Sequence, residues 1–205
     1  NIGLVTSPIL YYAAKKNAFK SGIMITGSHN PKDDNGIKMV INDKPVSGTE
    51  ILSLTKYIPE SDETKKEIIK TDIIDDYIND VLQKISLNNP ENLKVVVDCG
   101  NGAAGCVAPE LFKRLGCNVI NLFSEIDGNF PNHHPDPGKL ENLQDLITAV
   151  KKEKADLGLA FDGDGDRVGL VTEKGNVVFP DKIMMLLAKD VLARNGDGQI
   201  IFDVK

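Results

Sequence analysis

Blocks of apolar and polar residues alternate along this chain, and their spacing predicts helices and strands in turn. Apolar residues recur at helical spacing in "PILYYAAKKN", residues 8–17, and at positions 73, 74, 77, 78, 81, 82 and 85, which is the pattern of an amphipathic helix. Between these two helices, "SGIMIT" predicts a short buried strand, "NGIKMVI" a return strand, and "KPVSGTEILSLTKYI" a turn into a further helix.

A βαβ series follows from residue 93. It predicts strands at "LKVVVDCG", "CNVINLF" and "ADLGLAF", helices at "CVAPELFKRLG" and "LENLQDLITAVKKEK", and a loop at "SEIDGNFPNHHPDPG". The segment "VGLVTEKGNVVF" is typical of a hairpin turning at Lys174 and Gly175. A last helix is predicted from Pro180 to just before Gly196, because proline favours a helix start and glycine a helix end. The alternation predicts an α/β protein with mixed sheets between helices.

Composition narrows this picture. The 205 residues are 41% hydrophobic, enough for a packed core, and the charged stretch at residues 59–72 predicts a linker or surface segment. The chain opens on Asn1 and stops after the strand-like "QIIFDV", so we expect it to be a fragment of a longer protein.

The charge and the cysteines argue against several classes of protein. A net charge of −6 without a lysine or arginine cluster argues against a nucleic-acid partner. No apolar stretch approaches the roughly 20 residues that span a bilayer, which argues against a membrane protein. Cys99, Cys106 and Cys117 lack C-x-x-C spacing. They predict neither a disulfide framework nor a zinc site, but three small buried thiols in the reducing cytoplasm.

The strongest chemical signal is "DGDGDR", residues 162–167. Asp162, Asp164 and Asp166 end an apolar strand and are separated by glycines, which let the backbone fold so that the carboxylates converge. Converging carboxylates repel one another unless a cation neutralises them, and hard oxygen ligands indicate Mg²⁺ or Ca²⁺. An EF-hand loop would place Glu173 at its last ligand position, but it needs glycine where Arg167 stands. A polar turn without metal is the alternative.

A second motif has the form G-x-G-x-x-G, at Gly100, Gly102 and Gly105 after a predicted strand. With Glu125 near the end of the next strand, it matches a dinucleotide fingerprint and would favour an NAD-binding module. Alternatively, a tight strand-to-helix turn needs these glycines for close packing alone. That alternative is favoured, because a nucleotide site explains neither the aspartates nor the serine loop described next.

The third motif is "MITGSHNPKDDNG", residues 24–36. Ser28 is not in a G-x-S-x-G elbow, so nothing local supports a hydrolase triad. In an extended chain the side chains of Ser28 and His29 would point to opposite sides, which argues against a Ser28–His29 dyad. For Ser-His-Asn-Pro in isolation, an ordinary turn fixed by Pro31 is the favoured interpretation.

Taken together, "TGSHNPKDDNGIKMV" and "DGDGDRVGLV" resemble the α-D-phosphohexomutases, and "DGNFPNHHPDP" is most similar to their bacterial phosphomannomutase/phosphoglucomutase branch. The resemblance implies phosphoglucomutase-like α/β domains in a fragment of a four-domain enzyme. Residues 1–73 would be the later part of domain 1, residues 74–176 domain 2, and residues 177–205 the start of domain 3.

The resemblance also implies a site and a reaction. Ser28 would carry a phosphoryl group, and Ser28 with the three aspartates would bind Mg²⁺. Arg167 would lie near the transferred group, and His29 and Lys38 near the reacting hydroxyl, either of them as general base. A hexose 1-phosphate and a hexose 6-phosphate would interconvert through a bound 1,6-bisphosphate.

A cytoplasmic monomer is expected, and the isolated fragment is expected to be inactive. A mutase for glucosamine phosphate or N-acetylglucosamine phosphate is the nearest alternative, and the loop holding His133 and His134 is expected to be structural.

Overall fold

The computed structural model describes residues 1–18, 20–57 and 67–202. Its strands form one three-stranded and one five-stranded sheet. The helices span Ser7–Lys16 (α1), Thr49–Leu54 (α2), Ile74–Lys84 (α3), Ala108–Arg114 (α4), Gln144–Glu153 (α5) and Pro180–Asn195 (α6). The strands span Gly22–Ile25 (β1), Ile37–Ile41 (β2), Lys44–Pro45 (β3), Lys94–Asp98 (β4), Asn118–Leu122 (β5), Leu157–Phe161 (β6), Val168–Thr172 (β7) and Val177–Val178 (β8). The predicted mixed α/β architecture is confirmed.

The smaller sheet is antiparallel, in the order β1-β2-β3, and α1 packs against β1. The prediction that "SGIMIT" forms a buried strand is wrong, because Ile23 and Ile25 are 69% and 74% exposed. Strand side chains alternate between the two faces of a sheet. Met24, on the other face, packs against a buried cluster that includes Val5 and Ile9 of the α1 segment.

The larger sheet has the order β5-β4-β6-β7-β8. Strands β5, β4 and β6 are parallel, whereas β6, β7 and β8 are antiparallel neighbours. Helices cover both faces, which explains the unbroken apolar run in β4. Val95 and Val97 are buried in one cluster with Ala108 of α4, and Val96 in another with Leu146 of α5.

Helices α1 and α3 bring the two sheets together. Ile9 of α1, Ile78 of α3 and Val107 just before α4 are buried in one cluster. Residues 67–72 are exposed and form neither helix nor strand, and the rest of the predicted linker, residues 59–66, lies outside the described residues. Nowhere in the described ranges is a helix both long and apolar enough to cross a membrane.

The loops that carry the candidate chemistry meet where the part of the chain with the three-stranded sheet contacts the part with the five-stranded sheet.

Candidate active site

The aspartate loop, residues 162–167, connects β6 to β7. The buried carboxylate of Asp162 organises it, because Oδ1 accepts the backbone N–H groups of Asp166 and Arg167, both at 3.0 Å. One carboxylate oxygen each from Asp162, Asp164 and Asp166 lies within 4.8 Å of the others. The structure therefore brings the three aspartates together, as the sequence predicts.

Lys38 supplies the positive charge at this cluster. From β2 its Nζ donates to Oδ2 of Asp164 and to Oδ2 of Asp166, each at 2.6 Å. Partial burial lowers the pKa of Lys38, but the two hydrogen bonds to the carboxylates outweigh that effect and hold the pKa above its ordinary value. Lys38 is thus bound to the aspartates, and among the described residues it makes no hydrogen bond to Ser28.

Ser7, the first residue of α1, fixes one oxygen of Asp164. Its hydroxyl is fully buried and donates to Asp164 Oδ2 at 2.6 Å, and it accepts a hydrogen bond from Lys38 Nζ at 3.0 Å. Burial raises the pKa of Asp164, but the hydrogen bonds from Lys38 and Ser7 outweigh this and hold the pKa below its usual range. Asp164 is therefore held ionised, and its Oδ2 already accepts hydrogen bonds from Ser7 and Lys38.

The cluster fits a small cation. Asp164 Oδ1 is buried and finds no hydrogen-bond partner in the part of the chain that the structure describes. A buried carboxylate oxygen without a partner is unfavourable unless something binds it. Three carboxylates with one such oxygen form the hard-oxygen donor set of Mg²⁺ or Ca²⁺.

The serine loop comes from the other part of the chain and lies directly on the aspartate loop. Ser28 Oγ is 3.2 Å from Asp162 Oδ2. A Cβ on Gly163 would lie 2.1 Å from the Ser28 carbonyl oxygen, so only glycine allows the two backbones to approach this closely. The structure thus places Ser28 against the carboxylates, although 134 residues separate Ser28 from Asp162.

The expectation that the side chains of Ser28 and His29 point to opposite sides is wrong. Ser28 has a φ of +54°, in the left-handed region, so the chain is not extended there. This turn places His29 Nδ1 3.3 Å from Ser28 Oγ. His29 therefore lies beside the serine hydroxyl.

Arg167 closes the site on a third side. Its Nε donates to Asp162 Oδ2 at 3.0 Å, and its Nη1 pairs with Asp136 Oδ1 at 3.3 Å. Its Nη2 is buried and has no partner within the described residues. A buried donor without a partner, close to Ser28 and the carboxylates, is available to an anionic group at this point.

The glycines of the G-x-G-x-x-G motif are used for close packing. A Cβ on Gly102 would lie 2.8 Å from the Gly163 carbonyl oxygen, and one on Gly105 would lie 2.1 Å from the carbonyl oxygen of Ser124. The N–H of Ala103 donates to the Gly163 carbonyl at 2.8 Å. This turn thus packs against the aspartate loop and donates a hydrogen bond to it, as expected if the glycines serve close packing.

A substitution tests this packing. Gly105→Ala is expected to lower the free energy of unfolding by about 1–3 kcal/mol, because the new methyl group collides with backbone that cannot move cheaply. Gly128→Ala is the matched control, since nothing lies within 4 Å of a Cβ at Gly128. Urea unfolding of both variants checks this, and equal midpoints would contradict the packing role.

Three residues of the site, Ser7, His134 and Asp136, are not among the site residues that the sequence predicts. Ser7 lies before Pro8 and has the appearance of a simple helix start, Asp136 lies in a proline-rich loop, and His134 reaches the serine loop from that same loop. The Ser7–Asp164 contact joins residues 157 positions apart in the sequence. The Asp136–Arg167 and His134–His29 contacts join residues 31 and 105 positions apart. Only the folded chain reveals such contacts.

Comparison with known proteins assigns the chain to a family. Residues 1–65 match the phosphoglucomutase/phosphomannomutase alpha/beta/alpha domain I, and residues 75–175 match domain II of the same family. The chain belongs to this family. Within the phosphoglucomutase/phosphomannomutase family, it is 58% identical to the phosphomannomutase/phosphoglucomutase of Pseudomonas syringae pv. tomato over 100% of its own length and 44% of that protein. It is also 47% identical to the phosphoglucomutase of Neisseria gonorrhoeae, covering 45% of it.

A solved structure supports the same family assignment. A phosphoglucomutase/phosphomannomutase family protein from Burkholderia thailandensis superposes with a TM-score of 0.87 at 46% identity, over 95% of this chain and 44% of that one. The chain thus spans less than half the length of these family members.

Proposed function

We propose that this chain carries the phosphoryl-transfer centre of a mutase that interconverts hexose 1-phosphates and hexose 6-phosphates of mannose and glucose. The observation that supports this most directly is the position of Ser28 Oγ, 3.2 Å from Asp162 in a cluster of three aspartates. A serine hydroxyl beside a cation site and an unpaired arginine nitrogen suits phosphoryl transfer, which depends on positioning and on stabilising negative charge.

The reaction takes two transfers. In the first, the bond between Ser28 Oγ and phosphorus breaks and a bond forms from phosphorus to a sugar hydroxyl oxygen. The hydroxyl proton passes through a general base, for which His29 and Lys38 are the candidates, to the departing Ser28 Oγ. The product is a hexose 1,6-bisphosphate, which turns over in the site. In the second transfer, the bond between the other phosphorus and its sugar oxygen breaks and a bond forms from that phosphorus to Ser28 Oγ, whose proton passes through the same base to the sugar oxygen. This restores the phosphoserine and releases the isomeric monophosphate.

Each remaining group has a role in this scheme. Asp162, Asp164, Asp166 and the phosphorylated Ser28 would hold Mg²⁺, which when bound would neutralise charge on the transferred phosphoryl. Arg167 would direct its free nitrogen towards the same oxygens. His29 lies next to Ser28 Oγ. Lys38 donates to two carboxylates that hold its pKa above the ordinary value, so it is protonated where it lies and His29 is the better placed of the two candidate bases.

The proposal extends to the arrangement of the whole protein. Residues 1–73 would be the later part of domain 1, residues 74–176 domain 2, and residues 177–205 the start of domain 3 in a cytoplasmic monomer. Strand β8, at residues 177 and 178, pairs with β7 of the five-stranded sheet, which favours a boundary just before α6 rather than at residue 177. The sugar would bind between these domains and the remainder of the protein.

The intact mass of the full-length protein tests the proposal. After incubation with Mg²⁺ and glucose 1,6-bisphosphate, we expect the wild type to gain a single phosphoryl group and the Ser28→Ala variant to gain none. The wild type should also convert mannose 1-phosphate and glucose 1-phosphate, and Ser28→Ala should not, because it has no carrier oxygen.

Ser53→Ala is the control, because its hydroxyl donates to the Glu50 carbonyl of its own helix, away from the site. It should behave as the wild type. A phosphoryl group that persists in Ser28→Ala, or a wild type that never gains one, would contradict the proposal.

A further inference from the structure

The loop at residues 123–139 is firmly anchored to the end of β4. His133 Nε2 lies 3.0 Å from Oδ2 of Asp98, whose carboxylate is fully buried, and Asn132 Nδ2 donates to Asn101 Oδ1 at 2.8 Å. The ring of Phe123 packs edge-on against His133 with centroids 5.3 Å apart. These contacts fix the position of the loop, which is called the support below, and with it the positions of its other side chains.

From this support, His134 reaches into the serine loop. Its Nε2 lies 2.6 Å from the backbone carbonyl oxygen of His29. A carbonyl only accepts hydrogen bonds, so Nε2 must carry the proton, and the bond survives whether or not the other ring nitrogen is protonated. The ring of Phe130 meets His134 edge-on, with centroids 6.3 Å apart, which helps to fix its orientation.

The carbonyl that His134 holds directly follows a strained residue. Ser28 has a left-handed backbone, with a φ of +54°, a conformation that is unfavourable for a non-glycine residue. Such a conformation persists only where surrounding contacts over-determine it. Within the loop, the Ser28 N–H donates to Thr26 Oγ1 at 2.8 Å and the Asn30 N–H donates to the Gly27 carbonyl at 2.9 Å. His134 adds a hold from outside the loop.

The same support also contacts Arg167. Asp136, only two residues after His134, pairs with Arg167 Nη1 at 3.3 Å. One anchored loop thus contacts both the backbone beside Ser28 and the arginine beside the carboxylates. This loop therefore contributes to the spacing between the serine hydroxyl and Arg167, together with Asp162 Oδ2, which both groups contact.

We propose that His134 is a positioning residue, which holds the His29 carbonyl so that Ser28 Oγ stays over the aspartate loop during phosphoryl transfer. The inference rests on the proposed function of Ser28 as the phosphoryl carrier. Without this hydrogen bond the serine loop relaxes away from the strained turn, and the hydroxyl leaves its position beside Asp162. Transfer then slows, because displacement of a reacting group by about 1 Å can reduce a rate by about 100-fold.

Two variants of the full-length protein separate positioning from folding. His134→Ala is expected to lower kcat by about 10- to 100-fold, while KM for glucose 1-phosphate and the Mg²⁺ affinity of the dephosphorylated protein, measured by calorimetry, stay within about twofold. His134→Gln is expected to recover most of kcat, because the side-chain amide can donate an N–H to the same carbonyl. Lys32→Met is the control: Lys32 Nζ contacts Asn129 Oδ1 between the same two loops, at 3.4 Å, and this variant should keep the wild-type kcat.

Each outcome decides the matter. An unchanged kcat in His134→Ala, equal losses in His134→Ala and His134→Gln, or a proportional loss of Mg²⁺ affinity in the dephosphorylated protein would overturn the inference alone. A wild type that never becomes phosphorylated on Ser28 would overturn the proposed function, and the inference with it. A selective loss of kcat that glutamine restores would support both.

Discussion

Replacing Asp164 with asparagine is expected to weaken Mg²⁺ binding by more than about 100-fold, the upper end of what the loss of an outer hydrogen-bonding partner of a metal ligand costs. Asparagine has nearly the same shape as aspartate, so the fold should be retained. Asparagine lacks the negative charge of aspartate, however, and one of its two terminal groups is an NH₂ that cannot bind a cation.

The surroundings of Asp164 determine which of its atoms is lost. Ser7 Oγ and Lys38 Nζ both donate to Oδ2, so the amide oxygen of an asparagine would take that position. The NH₂ group would then stand where Oδ1 is now, and Oδ1 is the buried oxygen without a partner among the described residues. The substitution therefore removes the very atom that is available to the metal.

Glu173→Gln is the matched control for Asp164→Asn. An EF-hand loop would use Glu173 as a ligand, whereas in this structure it lies exposed between β7 and β8, outside the aspartate cluster. Isothermal titration calorimetry with MgCl₂ on the full-length protein compares the two variants with the wild type. An affinity for Mg²⁺ that survives in Asp164→Asn, or that falls in Glu173→Gln, would rule out the three-aspartate site.

The sequence predicts the elements of this fold well because local patterns determine them. The alternation of β4, α4, β5, α5 and β6 follows from apolar periodicity and from turns rich in glycine and proline. The burial of β1 could not be read in the same way. A short apolar run is compatible with one covered face or two, and which of these holds depends on what packs against Ile23 and Ile25.

The site shows the same division between local and long-range information. The three aspartates converge because Gly163 and Gly165 lie between them, and that spacing is visible in the sequence. The orientation of His29 depends on the left-handed turn at Ser28, which the contacts of the folded protein hold in place. The contacts of Ser7 and His134 join segments that are far apart in the chain, so no spacing rule could reveal them.

Phosphorylation of Ser28 is expected to raise Mg²⁺ affinity by about 100-fold, which corresponds to roughly 2.7 kcal/mol. A phosphoserine brings about −1.5 to −2 charges and strong acceptor oxygens. It would add them at Ser28 Oγ, 3.2 Å from Asp162 Oδ2. Two unit charges about 4 Å apart near a protein surface interact by about 4 kcal/mol. The nearby ammonium of Lys38 and dissolved salt offset part of this.

The phosphorylated serine should also tie the two parts of the chain together. Ser28 belongs to the segment with the small sheet, and the aspartates belong to the segment with the large sheet. A cation shared between them would make separation of the two loops more costly. Amide hydrogen exchange should therefore slow at residues 26–30 and 162–167 when the phosphoprotein binds Mg²⁺.

The measurement compares phosphorylated wild type, dephosphorylated wild type and Ser28→Ala by calorimetry at two ionic strengths. The dephosphorylated protein and Ser28→Ala should bind Mg²⁺ with similar, weak affinity, because neither carries the phosphate. The advantage of the phosphoprotein should shrink at high salt, since mobile ions screen partly exposed charges. Equal Mg²⁺ affinities for the phosphorylated and dephosphorylated forms would show that the aspartates alone hold the cation. That result would contradict the expected coupling of the two loops through Ser28.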